Sequence, residues 1–251
     1  MIVKILRDEC QARANVYRLL AGALIEEPQV TYLQALRSPA AMASLNEMGV
    51  SFDEDFTSPD LGQLQDALAT EFAVLFVTPG GCPAVESVRL TGRFQQEPLF
   101  ATREFYKRSG FQMTETRFAV FEDQLGVELM FVAELLDKSA ALLAACDNEG
   151  YERLEKEIKR FWVQHPGKWV RGYASLLERA TQHSFYREMA KLLRSFAEWE
   201  IKLLGIKVDD VDGGKAVVAK AEIPLEFNPD EPVCGSCEHG RKSGDLVAQA
   251  G

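Results

Sequence analysis

Apolar residues recur at steps of three and four along most of the chain, the spacing of helices that bury one face. Val16, Tyr17, Leu20, Ala23 and Leu24 form the first such stripe, with Asp8 placed to cap the helix and Pro28 to end it. Shorter helical patterns cover 30–37 and 39–48, followed by the polar connection SFDEDFTSPD. Leu61, Leu64, Leu68, Phe72 and Leu75 mark another helix, capped by Ser58 or Asp60 and cut at Pro79-Gly80-Gly81. The second half is more regular. One long stripe runs through Leu125, Leu129, Val132, Leu136, Ala140 and Leu143. A second, Tyr151 to Trp162, stops at His165-Pro166-Gly167. Two more, Trp169 to Ala180 and Phe185 to Leu203, close at Gly205. Strand character is confined to 216–223.

This pattern predicts an all-α fold: a helical bundle of two lobes joined by a hinge, with an irregular C-terminal tail. The lobes are expected at 1–112, including the Phe76–Tyr106 loop region, and at 113–205, meeting near 110–122. Residues 206–251 carry Gly, Pro and acidic residues with little periodicity, so they read as an extended or disordered tail. Because that tail offers no helical core face, cutting the chain after Gly205 is expected to leave the fold intact. The stretch 71–106 stands out. It joins the end of one helix to REFY through a long aperiodic segment, and compact domains keep such segments mainly where they bind something or pack as a lid.

Charge narrows the partners. With 28 Lys and Arg against 38 Asp and Glu, the formal net charge is -10, which disfavours nucleic acid and anionic lipid and favours cationic polypeptides. No apolar run is long enough to span a bilayer, and charges interrupt the N-terminal segment, so a cytoplasmic protein without stable membrane insertion is expected. Five cysteines, at 10, 82, 146, 234 and 237, do not form a secreted disulfide framework.

Catalytic signatures are lacking: no phosphate-binding glycine loop, no His-Glu-x-x-His, no Glu-x-x-His pair for a di-iron bundle and no nucleophile elbow. A non-enzymatic role is expected. Cys234, Cys237 and His239 have spacing that suits zinc or an iron–sulfur group, with a fourth ligand to be supplied from elsewhere, so a metal- or redox-active protein is the rival reading. A generic helical interaction module is the other. Glu122, Asp123 and Glu128 cluster at the start of the long helix. There they serve as dipole-matching caps, or as carboxylates at an inter-lobe groove able to grip guanidinium groups.

LFVTPGGCPAVESV, REFYKRSGF, FEDQLGVELMFVAELL and HPGKWVRGYASLLERATQHSFYREMAKLLRSFAEWE stand in one colinear order over roughly residues 10–204. Together they resemble the TorD/DmsD/NarJ-like chaperones that mature molybdenum enzymes. Gln124 stands where many members carry His, and Glu122 where Pro is common. The Cys-x-x-Cys tail lies outside the family pattern. The resemblance implies a cytoplasmic chaperone, monomer or homodimer. It would bind the twin-arginine signal peptide or the apo catalytic subunit of a molybdopterin enzyme, for cofactor insertion and export proofreading. On that reading Glu86, Asp123 and Glu128 meet the arginines, Phe76, Tyr106, Leu125 and Leu129 take the apolar part, and Ser87 and Gln124 complete the peptide site.

Overall fold

A computed structural model describes residues 2–113 and 120–220. Among the described residues the chain forms eleven α-helices, and its β structure is a single antiparallel bridge between Val85 and Gln124. The fold is all-α, as the periodicity requires. The helices are α1 (Ile2–Leu24), α2 (Val30–Leu36), α3 (Pro39–Glu47), α4 (Glu54–Thr57), α5 (Leu61–Phe72), α6 (Glu86–Thr91) and α7 (Glu97–Ser109). Then follow α8 (Leu125–Ala144), α9 (Asn148–Gln164), α10 (Val170–Ala180) and α11 (Ser184–Leu204).

Their ends follow local chemistry. Asp60 caps α5, its carboxylate accepting from Gln63 N at 2.9 Å, and Gln124 caps α8 through Val127 N. Asp147 caps α9, and Gly110 and Gly205 close α7 and α11 in the left-handed conformation. Asp8 caps nothing. α1 begins at Ile2, so Asp8 lies within it, exposed beside Arg7.

The described residues fall in one compact unit. α1 packs along α8 and reaches α11, and α10 packs on α11. Residue 112 is therefore no break in the packing. Arg13 of α1 forms a buried pair with Glu200 of α11 (Nε–Oε1 2.8 Å), and Trp162 Nε1 of α9 donates to Tyr17 OH of α1 at 2.7 Å. These polar contacts are satisfied inside an aromatic core that includes Phe131, Phe161, Phe185 and Tyr186.

The segment 206–220 departs from expectation. It is extended, but it is packed as a strap across α10 and onto α6. Val211 N donates to Lys168 O (2.7 Å), Gly172 N to Asp210 Oδ2 (2.8 Å) and Arg171 to Val208 O (2.8 Å). Buried Arg89 of α6 pairs with buried Asp212 at 2.6 Å and also donates to Lys215 O. Backbone and charged side chains make these contacts, so no hydrophobic period announces them. These contacts reverse the expectation for a cut after Gly205, which should now cost stability. Cys234, Cys237 and His239 lie outside the described residues, as does the end of the 216–223 stretch; its described part forms no strand.

Asp212→Ala leaves Arg89 buried without its carboxylate, which should cost about 3–5 kcal/mol in urea unfolding. Removal of everything after Gly205 should lower the melting temperature further. An unchanged unfolding midpoint in both variants would show that the strap does not hold the fold.

Candidate functional site

After Phe72 the chain of α5 widens into a π-turn, Ala73–Val77, which presents Val74 and Val77 outward. It then doubles back: Cys82 N donates to Leu75 O at 2.6 Å. Gly81 makes this reversal, where a Cβ would lie 2.6 Å from Leu75 O. Residues 84–86 next run antiparallel to 123–125. Glu86 N donates to Asp123 O and Leu125 N to Ala84 O, both at 2.8 Å, and Asp123 Oδ2 accepts from Ser87 N at 2.8 Å. Gln124 ties this junction to the end of α1, its amide donating to Leu24 O at 2.5 Å. α8 comes so close to α1 here that a Cβ at Gly126 would collide with Ile25 Cγ1.

Extended backbone sends alternate side chains to opposite sides. One side of the junction faces a cleft of about 430 Å³. Its lining includes Ile25, Ala73, Phe76, Val77, Val85, Phe94, Phe121 and Gln124, and the one charged residue among those lining it is Glu27. Phe94 is half exposed and stacks near Phe121, ring centroids 5.3 Å apart. A second recess of about 440 Å³ shares Ile25 but is edged by both Glu134 and Lys138.

The other side faces a buried polar cluster. His165 Nδ1 lies 2.8 Å from Glu86 Oε2 and 3.1 Å from Thr102 Oγ1. Glu128 is fully buried, and its acidity is held well down: burial raises its pKa, and the neighbouring Glu86 raises it further. Burial also raises Asp123, against the Ser87 N–H, which favours the ionised form.

The residues expected to form a peptide site thus divide. Phe76 and Gln124 line the cleft. Glu86, Asp123 and Glu128 are in the interior, at 1 %, 0 % and 0 % exposure, rather than open to a leader's arginines. The junction turns Glu86 and Asp123 inward, and Glu128 lies on the buried face of α8. Ser87 is buried and accepts from Gln96 N; Tyr106 is buried and donates to Glu122 O; Leu125 and Leu129 are core. Val77, Phe94, Phe121 and Glu27 were missed, as were His165 and Thr102. The aperiodic 71–106 stretch was the one signal for most of the cleft, and the His-Pro turn the one signal for His165.

A model of the nitrate reductase delta subunit family matches residues 34–175. The chain belongs to that family. It is also 25 % identical over 211 residues to "Chaperone protein TorD" of Shewanella loihica, covering 78 % of this chain and 94 % of that protein. The family is one of non-enzymatic chaperones that mature molybdenum enzymes. Among the described residues no helix is long and apolar enough to cross a membrane.

Gln124→Ala removes both the α8 cap and the tie to Leu24 O. Equilibrium unfolding should show a loss of about 1–3 kcal/mol, whereas Gln124→Asn, which keeps a capping oxygen, should recover part of it. Equal stabilities for both variants and the parent would contradict the junction's role.

Proposed function

We propose that this chaperone holds the apo catalytic subunit of a molybdopterin-dependent oxidoreductase in the cytoplasm during cofactor insertion, and that it grips the apolar stretch of that subunit's twin-arginine leader in the cleft between α1, the π-turn and Phe94. The observation that carries this reading is the cleft's lining: a nearly continuous apolar wall with Glu27 as its charged edge. A leader offers an arginine pair followed by an apolar run. The apolar run matches the wall, and the arginines match the chain's overall negative charge. The other recess sets Lys138 beside Glu134 and so offers those cations no net attraction.

The leader's arginines do not reach Glu86, Asp123 or Glu128 in this arrangement, because each is enclosed. Those acids support the cleft from behind. Proofreading then has a simple physical form: while the leader occupies the cleft, the export machinery cannot engage it, and release follows when folding of the client withdraws its other contacts.

Val77 and Phe94 are 70 % and 49 % exposed, so both can be changed without opening the core. Val77→Asp combined with Phe94→Ser should weaken binding of a synthetic twin-arginine leader by about 2 kcal/mol, roughly thirtyfold in calorimetry. Trp199→Ser, an equally exposed aromatic outside the cleft, should leave affinity unchanged. Equal affinity of the double variant and the parent would exclude the cleft as the leader site.

A further inference from the structure

We propose that Glu86, Glu128 and His165 form a buried site for a first-row divalent cation. One ligand atom from each of the three lies within 4.8 Å of the others, and all three side chains are buried. They converge from three separate elements: the first turn of α6, the first turn of α8, and the turn joining α9 to α10. Among the described residues, Oε1 of Glu86 and Nε2 of His165 have no hydrogen-bond partner, and Glu128 meets only Glu86. Buried polar atoms are ordinarily paired, so this set marks an interior position that asks for a ligand.

Charge points the same way. Asp123 adds a third carboxylate beside the cluster, and among the described residues the groups named as acting on Glu128 are the acids Glu86 and Asp123. A proton on Glu128 answers part of that deficit; a divalent cation answers more of it and joins α6 to α8. One imidazole with two carboxylates is a donor set for Mn²⁺, Fe²⁺ or Zn²⁺ rather than for Mg²⁺, which keeps several waters and would not enter so dry a place. Around the three donors, Thr102 Oγ1 at 3.1 Å from the imidazole and Asp123, held by Ser87 N, form the outer contacts that orient such ligands. The site is separate from the leader cleft, and neither reading depends on the other.

The test uses the full chain carrying Cys234→Ser and Cys237→Ser, so that the tail thiols cannot bind the metal. Because the ligands are enclosed, the protein is unfolded in guanidinium with chelator and refolded with Mn²⁺, with Zn²⁺ or with neither. Gel filtration and elemental analysis should then find about one metal per chain, and the loaded protein should melt several degrees higher, since a ligand bound only by the folded state stabilises it. Electron spin echo spectra of bound Mn²⁺ should show an imidazole nitrogen. Glu128→Gln keeps the side chain's shape and a donor toward Glu86 but removes a ligand, so with unchanged circular dichroism it should bind metal more than ~tenfold more weakly. The proposal is overturned if no metal is retained, if bound Mn²⁺ shows oxygen ligands alone, or if folded Glu128→Gln binds as tightly as its parent. Should Glu128→Gln fail to fold, Thr102→Val serves in its place, with a smaller loss of metal affinity expected and an unchanged affinity counting against the site.

Discussion

The antiparallel junction of 84–86 with 123–125 is the constraint on which the rest of the structure depends. Its two backbone hydrogen bonds and the Ser87–Asp123 contact fix the start of α6 to the start of α8. Gln124 then fixes both to the end of α1. Three helices from distant parts of the chain thus share one short stretch of backbone. Alternation along that stretch does the rest. Val85 and Gln124 look into the cleft, while Glu86 and Asp123 look into the interior. A single register sets both surfaces, and a slip by one residue would exchange them, placing carboxylates in an apolar cleft and apolar groups beside His165.

The helices were legible because their evidence is local and repeated. A stripe such as Leu125 to Leu143 shows its period over five turns, and caps such as Asp60 lie next to the residues they serve. The colinear order of motifs made the family legible as well. What failed was of a different kind. Acids at a helix start are normally solvated, so Glu128 read as an open carboxylate, and nothing near it in sequence announces Ser87 or Glu86. His165 read as a turn residue because its partner stands 79 positions away. Asp8 looked like a cap because the apolar stripe begins after it, yet the helix runs back to Ile2, with Ile2, Val3 and Ile5 exposed. The strap was invisible for the same reason as the cluster: its bonds are made by backbone groups and single charges to partners far along the chain.

Strap and cluster meet on α6, and α6 explains why both are needed. It has six residues, far fewer than a helix needs to persist alone in water. Tertiary contacts must therefore supply its stability at each end. At its start the Asp123 carboxylate accepts from Ser87 N, and Glu86 reaches His165; at its close Arg89 is clamped between Asp212 and Lys215 O. Gly92, left-handed at its end, runs so near the strap that a Cβ would lie 2.8 Å from Ala219 O. The chain then turns back to Phe94 on the cleft wall. The short helix is thus a bracket between the strap and the cleft wall. Such a bracket matters physically: an apolar cleft with soft walls would collapse on itself, whereas one held from behind by bonded polar groups stays open.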